Sequence, residues 1–262
     1  METIRLGKTN MMVSKLGFGG VPIQRVSEGE AVAVIRRCLD LGVTFFDTAA
    51  EYSNCEERIG KAISGRREGL VIATKIDYEI NQQIESTFKQ SLKQLGVTYI
   101  DLYQFHGVRN LNAFAKVIDP AGPLAVVQAA KRAGLVKHIG ITTHSMDVAK
   151  EAVKSDLFET IMFPFNFVNC EAADELLPLA REHDVGFIAM KPLAAGMIQN
   201  ITIAFKYLFQ FPDVLSIPGI QKIQEIDEII QVYQGPWQMT KAEEREMQRL
   251  REELGRPVMP PW

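Results

Sequence analysis

The sequence predicts an α/β protein, a single (β/α)8 TIM barrel over residues 1–262. Two observations carry this. Short apolar runs recur along the chain, each followed by a stretch of helical period. The 262 residues also match the roughly 250 that one such barrel needs. Hydrophobic residues at 47% and charged residues at 23% are ordinary for a globular chain with a large core.

The apolar runs are Leu16–Gly20, Thr44–Ala49, Leu70–Lys75, Tyr99–His106, His138–His144, Thr160–Asn166, Gly186–Pro192 and Val214–Gly219. They are apolar throughout rather than alternating, the pattern of strands buried on both faces of a parallel sheet. Between them, Glu28–Leu41 puts Ala31, Val34, Ile35, Cys38 and Leu39 on one helical face, with Gly42 as a stop. Asn81–Leu95 aligns Ile84, Phe88, Ser91, Leu92 and Leu95 and ends at Gly96, and Leu124–Ala133 ends at Gly134. Asp147–Lys154 and Cys170–His183 continue the alternation. About eight β-α units with right-handed crossovers close a parallel sheet into a barrel. Met12–Val13, after the turn signal Gly7–Asn10, predicts an N-terminal β-hairpin plugging the barrel's base. Extra C-terminal helices are expected at Lys222–Tyr233 and Thr240–Leu254, before a Pro-rich end, Pro257–Trp262.

Composition excludes several function classes. A net charge of −3 gives no attraction for nucleic acid or an anionic membrane. No apolar run reaches the roughly 18 residues of a membrane span, and Met1–Asn10 lacks the apolar core of a signal peptide. Three scattered cysteines, Cys38, Cys55 and Cys170, suit a reducing compartment and exclude a disulfide scaffold or thiolate zinc site. The expectation is a cytoplasmic protein acting on a small molecule, with no metal. The oligomeric state is not readable.

In such barrels the chemistry sits at the C-terminal ends of strands. There the sequence offers Asp47, Lys75 and His106, with Tyr52 in the loop after Asp47. Charged groups aimed into one barrel mouth are costly unless paired, which predicts an Asp47–Lys75 ion pair beside Tyr52. A neighbouring ammonium lowers a phenol's pKa, and such a phenol can exchange a proton with a carbonyl oxygen. His106 is expected to donate a hydrogen bond that aligns the substrate carbonyl. The set holds an acid and an oxyanion stabiliser but no nucleophile, which suits hydride transfer. Taken singly, each residue has a plainer role: a surface lysine, a helix-capping aspartate, a structural histidine, a loop tyrosine. A Schiff-base role for Lys75 is disfavoured, because Asp47 would keep the amine protonated.

These residues stand in motifs that resemble the aldo-keto reductases. The matches are Gly42–Ala49 followed by Tyr52, Ala73–Lys75, Asp101–His106, Ile139–His144, Phe165–Asn166, Lys191–Gly196 and Ile217–Gly219. They run in order through nearly the whole chain, one per strand. The resemblance implies reduction of aldehydes or ketones by NADP(H) or NAD(H), with a catalytic tetrad of Asp47, Tyr52, Lys75 and His106. It implies a cofactor site built from Gly20, Val21, Asp47, Thr142, Thr143, Asn166, Met190, Lys191, Pro192, Leu193, Gly196, Pro218, Gly219, Gln221, Lys222, Glu225 and Glu228.

Several positions depart from the family pattern. Thr142 and Thr143 replace a Ser-Asn pair at the nicotinamide carboxamide, and Met162 replaces a Gln. Met190 stands where a Tyr often stacks on the ring, and Lys191 would run along the pyrophosphate. The family's 2'-phosphate Lys and Arg become Gly219 and Glu225, with Lys222 a substitute cation and Glu228 at the adenine. NADP(H) is retained as the family default. Cys55 reads as an incidental small residue near the site. Segment Ala194–Asp213 is short for the family. His144–Ser145 and the Met190–Pro192 run match bacterial members, some of which carry an iron-sulfur extension; its cysteines are lacking here and no cluster is expected. Phe18, Val21, Phe163, Phe165 and loop Gly107–Pro123 are expected to line an apolar pocket, favouring apolar or aromatic carbonyls over sugars. A second reading keeps the fold but not the turnover: a nicotinamide-cofactor-binding sensor or regulatory subunit.

Overall fold

The computed structural model of the protein describes residues 1–255; the Pro-rich end expected at Pro257–Trp262 lies outside them. The first two strands, β1 (Thr3–Arg5) and β2 (Met12–Ser14), pair antiparallel as the expected hairpin. Ile4, Leu6 and Val13 are buried against Phe45, Val71, Leu102, Ile188 and Leu215 in the barrel interior. Each such side chain contributes roughly 1.5–3 kcal/mol by leaving water. Arg5 anchors the hairpin's edge to Asp184 at 2.6 Å.

The barrel strands are β3 (Phe18–Gly19), β4 (Phe45–Asp47), β5 (Val71–Ile76), β6 (Ile100–Phe105), β7 (Val136–Thr142), β8 (Thr160–Pro164), β9 (Gly186–Met190) and β10 (Val214–Ile217). They form one eight-stranded parallel sheet in chain order. Parallel bridges Leu16–Ser216 and Gly19–Gly219 join its two edges, with Gly17 N–H donating to Ser216 O at 2.8 Å. The helices are α1 (Glu28–Asp40), α2 (Cys55–Ile63), α3 (Ile84–Leu95), α4 (Leu111–Ile118), α5 (Pro123–Arg132), α6 (Met146–Lys154), α7 (Ala172–Glu175), α8 (Leu177–Glu182), α9 (Ile201–Phe209), α10 (Ile223–Gln234) and α11 (Lys241–Leu254). Ser27 caps α1 reciprocally with Glu30, as Thr240 caps α11 with Glu243. Among the described residues no helix is long and apolar enough to cross a membrane.

Strand parity decides what the barrel mouth contains. Successive residues of a strand face opposite sides. Phe45, Val71, Ala73, Leu102, Met162, Ile188, Leu215 and Ile217 form the interior cluster. Two residues on from these, in the same register, stand Asp47, Lys75 and Gln104. The polar layer is therefore stacked directly on the apolar one.

Below, Glu159 ties β7 to the loop entering β8. It accepts from Lys131 Nζ at 2.5 Å, His138 Nδ1 at 2.7 Å and Ile139 N–H at 3.0 Å. Burial pushes its carboxyl up, but these donors outweigh it and hold the pKa down at about 2. A depressed carboxylate adds stability above its unfolded pKa, and that stability is lost as pH falls toward the folded value. Glu159→Gln is expected to cost on the order of 2–3 kcal/mol at pH 7 and to flatten the loss of stability between about pH 4.5 and pH 2 by about one proton. Urea unfolding midpoints measured across that window check it.

Candidate active site

Three strands and one loop build the site. Lys75 is 2% exposed near the end of β5. Its Nζ donates to Asp47 Oδ2 at 2.6 Å and to Thr48 O at 2.8 Å. Gln104 Nε2 donates to the other Asp47 oxygen at 3.1 Å. Burial raises the Asp47 carboxyl above its ordinary range, and Lys75 is the main pull against it. Burial also pulls the Lys75 ammonium down, but Asp47 and Tyr52 more than compensate and raise it. The pair is thus a closed ion pair, and Lys75 is no free amine nucleophile.

Asp47 itself is set by Gly20. The Gly20 N–H donates to Asp47 O at 2.8 Å, and a Cβ at Gly20 would stand 2.8 Å from that same oxygen. Only glycine lets the first barrel loop approach so closely.

The Tyr52 ring lies over this pair, with Lys75 Nζ 5.0 Å from its centroid. Its hydroxyl is 3.3 Å from His106 Nε2, and the two rings meet edge-on at 5.5 Å. Burial raises the Tyr52 pKa more than Lys75 lowers it. The expectation of a lowered pKa is therefore corrected: desolvation of the phenolate outweighs the ammonium, and the Asp47 charge adds to the rise. Tyr52 rests as a neutral phenol. His106 Nδ1 faces Glu51 Oε2 at 2.5 Å.

Two of these groups escaped the sequence reading. Gln104 shares the inward parity of Leu102 and His106, so a polar residue there was a usable signal. Glu51 gave none, since a loop carboxylate beside an alanine looks solvated. Cys55 is fully buried, donates to Gly20 O at 3.1 Å, and is pushed up by burial to about 12. It is an inert thiol.

The residues expected at the cofactor fall into two sets. Thr142 accepts from Gly107 N–H at 2.7 Å and keeps its own hydroxyl hydrogen. Thr143 is fully buried, donating to Val108 O at 2.6 Å and accepting from Ser145 N–H at 3.0 Å. Asn166, also buried, accepts from Val168 and Asn169 N–H and donates to Lys191 O at 2.9 Å. Thr143 and Asn166 are thus spent on loop geometry, whereas the buried Thr142 hydroxyl still has its hydrogen to donate.

Met190 ends β9, and Lys191 follows at φ 55°. Its Nζ is buried with no hydrogen-bond partner among the described residues, and burial lowers its pKa. Pro192 and Leu193 lead into a tight turn, Ala194–Gly196, with φ of 46°, 57° and 94°. The half-buried His144 also has an enclosed Nε2 without a partner among the described residues, and burial and nearby Lys191 push it down to about 4, so it is neutral.

At the β10 end, Pro218 O accepts from Gly19 N–H at 2.8 Å. A Cβ at Gly219 would meet Pro22 at 2.7 Å, so a side chain fits there only if the proline ring shifts. Glu225 Oε2 accepts from Gln221 N–H at 2.8 Å and Lys222 N–H at 3.1 Å, capping α10. The Lys222 side chain is exposed, and Glu228 lines a groove of about 860 Å³ with Met197, Asn200 and Gln231. Val21 stands at the rim, 41% exposed.

The expected apolar pocket is corrected. Phe18 faces outward and packs on Phe46 at 5.7 Å, and Phe165 packs on Tyr207 and Phe211 under α9. Loop 107–123 contains helix α4. These rings are core, because strand parity turns them away from the mouth.

An eight-stranded parallel barrel with a phenol and an imidazole over a buried ion pair at its C-terminal mouth is the architecture of a barrel oxidoreductase. The chain is a member of the aldo/keto reductase family, whose model matches residues 15–203. It is 28% identical over 212 residues to the uncharacterized oxidoreductase YqkF of Bacillus subtilis, covering 76% of this chain and 67% of that protein. It is 30% identical over 215 residues to the probable aldo-keto reductase 1 of Glycine max, covering 75% and 60%. The chain thus spans roughly two thirds of these relatives' length. An aldo-keto reductase of Bacillus halodurans superposes with a TM-score of 0.81 at 25% identity, covering 95% and 96% of the two chains. One from Klebsiella pneumoniae, solved with NADPH, superposes at 0.79 with 20% identity over 95% and 94%, a likeness of fold.

Proposed function

We propose that this protein reduces aldehydes or ketones to alcohols with a nicotinamide cofactor, Tyr52 giving the proton. The observation that carries the reading is the neutral phenol of Tyr52, held between the Lys75 ammonium and His106 at the barrel mouth. A phenol at that point protonates a carbonyl oxygen, and the neighbouring ammonium stabilises the phenolate left behind.

The mouth fits the cofactor. A buried ammonium without a partner is costly; the Lys191 Nζ has none among the described residues, and the pyrophosphate that the resemblance puts beside it would supply one. Thr142 would hold the carboxamide, and Met190 would lie against the ring as a polarisable apolar surface. The bound nicotinamide supplies the hydride; the chain orients the carbonyl, supplies the proton and stabilises the charge.

Glu225 bears on the choice of cofactor. The resemblance places the 2'-phosphate grip at the start of α10, where the Glu225 carboxylate already fills two N–H donors. A phosphate would meet a like charge and find those donors taken. This weighs against the NADP(H) default and favours NADH. Glu225→Arg is expected to raise NADPH affinity relative to NADH at least about tenfold, the worth of one charge-assisted contact. It should also cost about 1 kcal/mol of stability through the lost cap. Fluorescence titration with each cofactor and thermal unfolding check both.

The test of the whole reading is titration with NADH and NADPH, then addition of 4-nitrobenzaldehyde to the same sample. Binding followed by cofactor oxidation supports it. Tight binding without oxidation of any carbonyl offered favours the sensor reading, and binding of neither cofactor overturns the proposal.

A further inference from the structure

We infer that Glu51 is a positioning residue that fixes the tautomer of His106 and makes its Nε2 a proton acceptor from Tyr52. This rests on the proposed reductase reading for its catalytic meaning, but the tautomer itself is a property of the resting protein.

The argument starts from the carboxylate. Glu51 has one side-chain hydrogen-bond partner among the described residues, His106 Nδ1 at 2.5 Å. The hydrogen bond from His106 holds the Glu51 carboxyl below the ordinary range against the upward push of partial burial, so it is ionised at neutral pH. An ionised carboxylate only accepts. The proton in this contact therefore belongs to His106 Nδ1. A neutral imidazole carries one ring proton, so Nε2 presents its lone pair. That lone pair lies 3.3 Å from the Tyr52 hydroxyl, and Tyr52 is a phenol with a proton to donate. The chain of contacts is carboxylate, imidazole, phenol, in one direction. The other charged or titratable groups around His106 are Asp47, Lys75 and His144. Asp47 is closed on Lys75, and His144 is neutral.

This changes the role expected of the histidine. Neutral His106 has no Nε2 proton to give a substrate carbonyl. It can donate there only as the imidazolium, with both nitrogens protonated and Glu51 as counter-charge. The proton balance after reduction then closes. Tyr52 has given its proton to the carbonyl oxygen and is a phenolate. A proton from solvent then turns the neutral ring into the imidazolium, which passes its Nε2 proton to the Tyr52 phenolate oxygen, restoring the phenol and a neutral ring with Nδ1–H still on Glu51. Solvent reaches His106 and Glu51 at the rim, where their side chains are 24% and 42% exposed.

Two readouts test this. The first is the ¹⁵N spectrum of histidine-labelled protein, with the His106 signals identified by their loss in His106→Asn. The expected result is a protonated, pyrrole-type Nδ1 and an unprotonated, pyridine-type Nε2 at alkaline pH, with the Nε2–H tautomer gaining in Glu51→Gln. The second is turnover of 4-nitrobenzaldehyde by Glu51→Gln. We expect kcat to fall about tenfold or more, a part of what a general acid–base group supplies, with the aldehyde KM and cofactor affinity within about twofold. A wild-type Nε2–H tautomer, or a variant unchanged in both spectrum and kcat, would overturn the role of Glu51 and leave that of Tyr52 intact. Should the wild-type protein reduce no carbonyl, the proposed function fails separately, and the spectrum alone decides for or against the tautomer.

Discussion

Tyr52→Phe is expected to leave cofactor affinity within about twofold and to lower aldehyde reduction by two or more orders of magnitude, the usual span for a lost general acid. The change removes one oxygen and almost no packing, since the ring keeps its edge-on contact with His106 and its place over Lys75. What is lost is the one hydroxyl that faces both His106 Nε2 and the ammonium. The raised pKa of Tyr52 strengthens the expectation. The phenol is protonated throughout the neutral range, so its proton is always available, and the cost of forming the phenolate falls on Lys75. Steady-state kinetics with 4-nitrobenzaldehyde and separate cofactor titrations check both halves. Unchanged turnover would remove Tyr52 from the chemistry.

Much of this arrangement was legible in the sequence, and the gaps have physical causes. Strands β4 to β6 read clearly, because each is an apolar run ending in a polar residue that the parallel sheet must aim at the mouth. The register of β7 read late, at His138 rather than Val136, because Lys137 and His138 at its start are polar and answer to Glu159 and solvent. Helix α4 lies inside the segment expected as a pocket loop. Its sequence, with Leu111 48% exposed, carries too little polar contrast to announce a face. Parity, not apolar character, decides where Phe18 and Phe165 point: Met162 faces inward, so Phe165, three residues on, faces outward. Glu51 was invisible for a different reason. Its partner is 55 residues away, and only the closed barrel brings the loop after β4 over the end of β6.

Lys75→Met should be the most damaging single change, to stability as well as to activity. Lys75 and Asp47 are 2% and 4% exposed in their side chains. Removing the cation leaves a buried carboxylate with only the Gln104 amide. Breaking a buried pair this way typically costs about 3–5 kcal/mol, a large share of a domain's net stability. Burial already pushes the Asp47 carboxyl up, with Lys75 the main opposing pull. In the variant that pull is gone, so Asp47 folds as the neutral acid. A group whose folded pKa is raised adds stability below its unfolded pKa and loses it as pH climbs toward the folded value. The variant should therefore recover part of its loss as pH is lowered from 7 toward 5, against the trend of Glu159. Pairing it with Asp47→Leu should regain most of the loss at pH 7, since apolar replacements of a buried ion pair are often neutral or better. Neither variant should reduce an aldehyde measurably, because the phenolate has lost its stabilising charge. If Lys75→Met matched the wild-type unfolding midpoint, the pair would be solvated in solution, and the electrostatic account of Tyr52 would fail with it.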